Sequence, residues 1–553
     1  MRRRCLRLAV VAPPPPSPPP VKAIPTNYVS SAFHKELAGL SAKQQPALVF
    51  AALRRFEGSF QVKVEDLDAG LHALARCNRD SWTSAANCGG GGGLGGNEAL
   101  GDAELQRLLG LLEQKLPSLG HETRYLATTS WALASLSQWQ PQLSPKALQR
   151  MNAIFAQCED LASSRLASFQ PNNLSMLAWA FARAGVGTKD LFQRIGDESL
   201  KRLDQLQARE ISNLTWSFAK TKLSHQLLAS VREVAKSKGL NSFEEQDLSS
   251  FTWGLATLQI RDVELLAAAG QEVDAKVQLF TPQGLVCTTW AFASLRLEAV
   301  FLDKAVARLQ EFQLEPKGCA MLLWSLATLR KDCELFYHHL ADAVILPFAP
   351  KFQAQDISHC LWAFATARVE HEAVFKALVA QAARKANSFT SQALANTTWA
   401  CAKMSAEAAR MVEAATTEAL RRPLRTWEPQ ALVTLCWSSG AAGIAFGRLL
   451  GPLTEELYRR PDDFNDKDLA TLVFALKGWW PREQLHLRDA AMLRVKTEAS
   501  RRDLPITADM LRTGLGGVRR IACISLAQRV ASCIKESMCQ SSTACSLEEF
   551  LTS

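Results

Sequence analysis

Basic side chains recur along this chain at a spacing that suits repeated contacts with phosphate groups. Several neighbours in the series are close to 37 residues apart, as Arg183 and Lys220 are. Lysine and arginine neutralise phosphates and release counterions, which is the sequence-independent part of nucleic-acid binding. We therefore predict phosphate contacts at Arg183, Lys220, Lys222, Arg296, Arg330, Lys331, Arg368 and Lys403.

Hydrogen-bonding side chains accompany these cations and differ from copy to copy. Amide and hydroxyl groups can meet the exposed base edges of single-stranded RNA, one repeat at a time. The pattern therefore predicts a ladder of base contacts beside the row of cations. Its members are Asn213, Gln246, Gln283, Gln355, His359, Gln392, Asn396 and Gln430.

Ordinary helix chemistry offers an alternative for both sets of residues. A cation near a helix C-terminus is favoured by the helix dipole without any ligand. The glutamines can serve the first turn of a helix, and His359 can be a polar surface residue. Residue types alone leave both interpretations open.

Tryptophan marks the repeat that spaces these side chains. The successive spacings are 48, 37, 37, 37, 34, 38, 37, 38 and 37 residues, and a polar insertion, SQWQPQLSP, lies in the long first interval. A fixed period of this length indicates a repeat architecture. The marker positions are Trp131, Trp179, Trp216, Trp253, Trp290, Trp324, Trp362, Trp399, Trp437 and Phe474.

The residues around each tryptophan predict two helices per copy. Most copies have Leu or Ile five residues before the Trp and an aromatic residue ten before it. Pro171, Pro282, Pro316 and Pro429 stand eight before the Trp, where proline suits a first turn, and Thr281 is a candidate N-cap. A second amphipathic helix follows, with no strand pattern between. We predict an all-α, right-handed αα-solenoid of about ten two-helix repeats of roughly 37 residues.

A helical wheel separates the tryptophans from the main apolar stripe. The positions five and two before the Trp, and two and five after it, fall within about 40° of one direction. The Trp lies on the opposite side of the helix, among the variable polar positions. We therefore expect the tryptophans to pack against the next repeat and set its spacing, with base stacking as the alternative.

Composition divides the chain into successive segments. We assign 1–40 to a transit peptide or disordered Pro-rich head, 41–76 to a degenerate N-terminal repeat or cap, 77–98 to a Gly-rich flexible insertion, 99–480 to the helical repeats, 481–538 to C-terminal capping helices and 539–553 to a tail.

The head carries much of the positive charge and resembles a targeting segment. It is rich in arginine, and its first acid is Glu36, which is typical of a mitochondrial transit peptide. A plastid route, or a Pro-rich tail without a targeting role, is the alternative. The net charge is +9, and the six cations of the head leave about +3 on the rest. We predict a location in the mitochondrial matrix.

Sequence motifs of enzymes, metal sites and membrane spans are absent. The sequence contains no P-loop, no dinucleotide-binding glycine fingerprint and no nucleophile elbow. The Gly tract at 89–96 lacks the GK[ST] ending, and the 14 cysteines form no CxxC pair. No apolar run reaches the 18 residues of a membrane span. We predict no enzymatic activity, no cofactor, no metal and no membrane span.

The spaced L-S/A-x-x-x-W-A/S-F/L-A motif resembles the helical repeats of organellar RNA-binding proteins. These include heptatricopeptide and octotricopeptide repeats, the FAST-kinase-like helical regions and the repeats of RNA-editing substrate-binding complex proteins. The period is most similar to the heptatricopeptide type, and the resemblance covers about residues 122–480. It implies binding to mitochondrial or plastid transcripts and a role in RNA processing, stability, ribosome biogenesis or translation.

Many proteins with such repeats carry a C-terminal RAP domain, a small endonuclease-like module. Residues 481–553 show no strand pattern or acidic cluster of that kind, so we expect no nuclease activity. We predict an adaptor that binds single-stranded organellar RNA, together with RNA-processing or ribosomal proteins. The alternative is a protein-binding scaffold, because two-helix solenoids also bind proteins.

Overall fold

Helices make up the regular structure of the residues that the structure describes. The computed structural model describes residues 29–43, 45–59, 63–77, 97–119, 122–137, 143–444, 446–477 and 482–502, where it contains no strand. These residues form two compact units, one ending at Phe312 and the other beginning at Gln313. The predicted all-α class is confirmed.

In the first unit, helices follow one another in pairs along the chain. From α5 onward, each odd-numbered helix carries a marker residue, which is a tryptophan in every case except Phe474, and is called a first helix. The helix after it is called a second helix. The helices are α1 (Val29–Ala42), α2 (Pro46–Ser59), α3 (Val64–Ala75), α4 (Asn97–Lys115), α5 (Thr123–Leu136), α6 (Pro145–Ser163), α7 (Pro171–Ala184), α8 (Lys189–Leu200), α9 (Ala208–Thr221), α10 (Leu227–Lys238), α11 (Glu245–Thr257), α12 (Val263–Lys276), α13 (Pro282–Leu295) and α14 (Leu302–Leu309).

The second unit has the same alternation. The helix α16 runs on through a π-helical turn at Ala341–Ile345 and a further turn at Leu346–Phe348. The helices are α15 (Pro316–Leu329), α16 (Glu334–Leu340), α17 (Ala354–Ala367), α18 (Glu372–Arg384), α19 (Ser391–Met404), α20 (Ala408–Arg421), α21 (Pro429–Ala441), α22 (Gly447–Arg459), α23 (Asp466–Leu476) and α24 (Leu485–Arg501).

Neighbouring first helices pack side by side within each unit. In the first unit the contacts run in order from α3 to α13, and in the second unit from α15 to α23. Second helices contact the first helix of their own repeat, as α19 and α20 do, and also neighbouring second helices, as α20 and α22 do. Each first helix is therefore enclosed on several sides.

The predicted helix starts are confirmed at the prolines. Pro171, Pro282, Pro316 and Pro429 each occupy the first turn of a first helix, where the missing N–H is no loss. Thr281 is the N-cap of α13, and its hydroxyl accepts a hydrogen bond of 3.1 Å from the Gly284 N–H. Local sequence chemistry thus sets where these helices begin.

Both faces of the first helices take part in packing. The apolar stripe is buried, as at Leu174, Leu177 and Phe181, and the tryptophan on the opposite side of the same helix is buried too. The first helix packs against its second helix and against the neighbouring first helices, and the tryptophan rings contact one another between neighbouring first helices. The wheel therefore separates two packing surfaces, of which the tryptophan-bearing one is only partly covered, since Gln355, Gln392 and Trp399 are half-buried.

The described helices cross some of the segment boundaries drawn from composition. The boundary at residue 40 falls within α1, and α3 of the segment 41–76 packs against α5. Most of the Gly-rich segment 77–98 lies outside the described residues, as do residues 1–28 and 503–553. The helix α24 lies in the segment 481–538 and packs against α22 and α23.

Candidate nucleic-acid interface

A left-handed residue ends most first helices, and in four repeats it is basic. Lys222, Arg296, Arg330 and Arg368 stand six residues after the marker tryptophan, with φ values of 57°, 53°, 57° and 62°. The backbone around them closes the helix end. The N–H of the residue after Arg296, for example, donates to the Phe292 carbonyl oxygen at 3.0 Å. This is the hydrogen-bond pattern of a Schellman cap.

Glycine is the residue that such a cap favours. Gly185 and Gly443 occupy the equivalent position in two other repeats, with φ values of 72° and 67°. A residue with a Cβ atom pays roughly 1–2 kcal/mol in this conformation, whereas a cation at a helix C-terminus gains about 0.3–1 kcal/mol. The helix dipole by itself therefore does not explain a lysine or arginine here, and strain of this kind often marks a functional position.

The four cations at these caps have no partner among the residues that the structure describes. Their side chains are exposed and form neither a hydrogen bond nor an ion pair within the part of the chain that the structure describes. Arg183, two residues before the equivalent position, is also unpaired among the described residues, and burial lowers the pKa of its guanidinium group. These five positive charges are available to an anion from solution.

The other three predicted cations have local interactions. Lys220 is exposed and Lys331 is half-buried, and both interact with other groups of the protein. The ammonium group of Lys403 lies 4.7 Å from the centroid of the Trp399 ring. Burial, followed by the charge of Arg368, lowers the pKa of Lys403.

The predicted base-contacting residues differ in exposure. Gln283 and Gln430 are exposed, while Gln246, Gln355, Gln392 and Asn396 are half-buried. The amide nitrogen of Gln392 donates to the Asn396 Oδ1 at 2.9 Å. Asn213 is buried, with 8% of its surface exposed. The face is therefore polar but not uniformly open, and Asn213 is the member of this set that solvent reaches least.

His359 provides no positive charge at neutral pH. Its ring lies 6.2 Å from the Trp324 ring in the preceding first helix. Burial lowers the pKa of His359 to about 4, because a protonated imidazole would lose its hydration there. A neutral imidazole can still donate one hydrogen bond and accept another.

The marker tryptophans contact one another between repeats. The rings of Trp179 and Trp216 lie 5.7 Å apart, and those of Trp216 and Trp253 lie 5.8 Å apart. In the second unit, Trp324 and Trp362 lie 6.4 Å apart. These rings are packing surfaces between neighbouring first helices. Several are buried, whereas the half-buried markers are Trp324, Trp362, Trp399 and Phe474.

Acidic residues that the sequence prediction missed cap several first helices. The carboxylates of Asp247, Asp356 and Asp468 accept hydrogen bonds from backbone N–H groups at the helix start. Burial raises the pKa of Asp247 to about 6. These acids, which stand six residues before the marker position, serve the first turn. Their regular spacing in the sequence is the signal that would have identified them.

A second periodic row of cations is also absent from the prediction. These side chains lie at or just beyond the end of a second helix and donate to backbone carbonyl groups near the start of their own repeat. Lys385 Nζ, for example, lies 2.9 Å from the carbonyl oxygens of both Pro350 and Phe352. We call this row the clamp cations. Its members are Arg202, Lys238, Lys276, Lys385, Arg422, Arg460 and Arg502.

Five clamp cations also pair with a glutamate that lies four residues earlier in the sequence, in the last turns of the second helix. Arg422 Nε lies 2.7 Å from Glu418, and Arg460 Nε lies 2.7 Å from Glu456. The two glutamates are buried, so each needs its positive partner. The remaining pairs are Glu198 with Arg202, Glu272 with Lys276 and Glu498 with Arg502.

The structure thus separates two kinds of cation with the same period. The clamp cations are saturated by carbonyl and carboxylate oxygens, whereas the four cap cations are unpaired in the described residues. Equal spacing along the sequence does not distinguish them. The candidate interface consists of the cap cations together with the polar and tryptophan-bearing face of the first helices.

Metal-ligand clusters and membrane-spanning helices are both missing from the described residues. No group of three or more His, Cys, Asp or Glu side chains there is arranged to hold a metal ion. None of the helices there is both long enough and apolar enough to cross a membrane.

Comparison with known proteins does not assign a family. No protein-family model matches the chain, and no curated protein matches it. Among solved structures, it is similar to a chain described as a homology model of the full-length AP-3 complex in an intermediate open conformation. That match covers 85% of this chain and 90% of the other, with 10% identity and a TM-score of 0.24. Similarity at this level carries no argument about function.

Proposed function

We propose that this protein is an organellar RNA-binding adaptor, and that its helices form a right-handed αα-solenoid of about ten two-helix repeats. In this proposal, single-stranded RNA lies along the inner face of the solenoid. The cap cations contact its phosphates, and the polar side chains of the first helices contact its bases. The repeat motif, which resembles heptatricopeptide repeats, supports the same function.

One observation carries the proposal. Lys222, Arg296, Arg330 and Arg368 each hold a left-handed conformation that glycine would adopt with less strain. They also lack an ion-pair partner in the described part of the chain. A purely structural cap has no need of the charge, whereas a phosphate contact does.

The proposed setting is the mitochondrial matrix, with a plastid as the alternative. The arginine-rich, acid-free start of the chain supports import. RNA processing, transcript stability, ribosome biogenesis and translation all fit an adaptor of this kind. RNA-processing and ribosomal proteins are the proposed protein partners.

A protein-binding scaffold is the second candidate. Val263 and Val300 each stand ten residues after a marker tryptophan, near the start of a second helix, and are 53% and 58% exposed. Exposed aliphatic side chains at a repeated position suit a protein partner. Val263 begins α12 and Val300 stands two residues before α14, so this position is not on the first-helix face proposed for RNA.

Fluorescence anisotropy with a labelled single-stranded RNA, titrated with salt, tests the RNA-binding proposal. We expect Lys222→Gly/Arg296→Gly/Arg330→Gly to weaken binding and to lower the salt slope by about 2, because each phosphate contact on a single strand contributes about 0.7. Gln259→Gly is the matched control, since it changes a left-handed cap residue without changing charge. An unchanged slope in the triple variant would contradict the proposal.

A further inference from the structure

Arg368 and Lys403 form a pair of cations at the ends of two neighbouring first helices. Arg368 follows α17 with a φ of 62°, and Lys403 lies in the last turn of α19. The helices α17 and α19 pack against each other. Burial is the main cause that lowers the pKa of Lys403, and the positive charge of Arg368 lowers it further.

No acid neutralises this pair in the described residues. Glu370 and Glu407 are the nearest acids along the chain, but neither forms an ion pair with Arg368 or Lys403. Like charges at the ends of two helices that pack together repel each other. A bound anion would remove that repulsion and form charge-assisted hydrogen bonds with both groups.

The surroundings of Lys403 hold its charge in place. Its ammonium group rests over the Trp399 ring at 4.7 Å, and the lysine is half-buried. A cation fixed over an aromatic face has already lost part of its hydration and side-chain freedom. Binding an anion there therefore has a smaller ordering cost than binding at a mobile surface lysine.

Polar groups continue from this pair along the same helix. Gln392, Asn396, Trp399 and Lys403 follow one another at helical spacing on one face of α19. The Gln392 amide nitrogen donates to Asn396 at 2.9 Å, which orders both side chains. In a nucleotide chain, each phosphate is followed by a sugar and a base. On this face, the cations are likewise followed by an aromatic ring and then by amide groups.

We propose that Arg368 and Lys403 together bind one phosphate group of a single-stranded RNA, and that the adjoining nucleotide lies against Trp399, Asn396 and Gln392. The assignment rests on the proposed RNA-binding function and locates one contact within it. A phosphodiester has two free oxygens, so each cation can receive one. A phosphoprotein would offer a phosphate without the bases and sugars that the amide row suits.

Two substitutions test the phosphate contact in the full chain. Arg368→Gly removes one charge and places the residue that the left-handed cap favours. Lys403→Met removes the other charge and keeps an unbranched side chain over Trp399. We expect each to weaken binding of a labelled single-stranded RNA about 3- to 10-fold. The double variant should lose less than the product of the two, because both cations hold the same phosphate.

Ser405→Gly is the matched control. Ser405 has the same left-handed conformation in the next repeat, with a φ of 52°, and carries no charge. It should leave RNA affinity and the salt slope unchanged. Thermal unfolding of all variants checks the fold, and neither glycine variant should unfold at a lower temperature than wild type.

The outcomes separate this inference from the proposed function. If wild type binds RNA and both Arg368→Gly and Lys403→Met bind it with the same affinity, the phosphate site is overturned. The RNA-binding proposal would still stand. Losses that multiply fully in the double variant would also overturn a shared phosphate. If wild type does not bind RNA, both proposals are overturned. In that case, inorganic phosphate could still raise the unfolding temperature of wild type but not of Lys403→Met. That result would assign the cation pair to another phosphorylated partner.

Discussion

Single residues in this protein combine two tasks that usually fall to different residue types. The cap positions of the first helices need a left-handed backbone, which glycine provides at Gly185 and Gly443. Lys222, Arg296 and Arg330 provide the same backbone together with a charge, and therefore at a conformational cost. The simplest physical reason for keeping the costlier residue is an anionic ligand at the helix end.

His359 provides a test of burial at the residue scale. Its pKa is lowered to about 4, so the folded state keeps the imidazole neutral while the unfolded state protonates near its ordinary pKa. The contribution of the neutral His359 ring to the free energy of unfolding is therefore fully present above about pH 6.5. It is lost as the pH falls toward 4. We expect wild type to lose roughly 2 kcal/mol more than His359→Asn over this interval.

Urea unfolding at a series of pH values measures the difference. His339→Asn, at an exposed histidine of the same unit, is the control and should reproduce the wild-type profile. Parallel profiles for wild type and His359→Asn would contradict the assignment of a half-buried, neutral ring. Other titrating groups affect both proteins equally, so the comparison isolates His359.

At the element scale, side chains at the ends of the second helices form hydrogen bonds with the backbone at the start of their own repeats. The clamp cations reach carbonyl groups more than 30 residues earlier in the sequence, as Arg422 reaches Phe389. These carbonyls precede a first helix and would otherwise lack a helical partner. The clamp therefore satisfies polar backbone at the junction between neighbouring second helices.

We expect Arg422→Met to destabilise the protein by about 3 kcal/mol. The substitution removes hydrogen bonds to the carbonyl groups of Phe389 and Asn387, at 2.8 and 2.9 Å, and leaves Glu418 buried without its closest cation. Loss of one partner of a buried ion pair has a cost of this size. Chemical denaturation measures it.

Arg421→Met is the adjacent control. The Arg421 side chain is 69% exposed, and its contact with Glu418 is 3.8 Å long, so we expect a change within about 0.5 kcal/mol. Equal effects of the two substitutions would refute the clamp. Arg422→Met should leave the salt slope of RNA binding unchanged, because its guanidinium group is already occupied by protein oxygens.

At the scale of the whole molecule, the position of charge matters more than its sum. The net charge is +9, of which six belong to the head. Many cations in the two units form clamps or ion pairs. The net charge of the chain beyond the head is therefore small, although a few of its cations are unpaired among the described residues. An RNA ligand would respond to those unpaired cations rather than to the total.

The proposed location is tested with a fluorescent fusion of the full chain. We expect a mitochondrial signal that is lost in a variant with Arg2, Arg3, Arg4 and Arg7 replaced by Ala, because import depends on the positive charge of the leading segment. Replacement of Lys22 alone is the control and should retain import. A plastid signal, or a diffuse signal from the wild-type fusion, would contradict the mitochondrial assignment.

The sequence by itself determined the all-α class, the marker tryptophans and the starts of the Pro-led first helices. These features depend on local chemistry: a proline in the first turn, a threonine at the N-cap and an apolar stripe at helical spacing. Each can be read from a short window of residues. The column of cations six residues after the marker is equally visible, and glycine in that column at Gly185 and Gly443 is the local sign of a left-handed cap.

Only the tertiary structure decided which cations are unpaired and how the tryptophans are used. Lys385 and Arg368 both recur with the repeat, yet Lys385 meets two carbonyl oxygens from a segment 33 and 35 residues earlier, while Arg368 meets none among the described residues. Likewise, the second packing surface on each first helix exists because a neighbouring first helix lies against the tryptophan. Such partners are brought together by packing between distant segments, and no local pattern in the sequence encodes them.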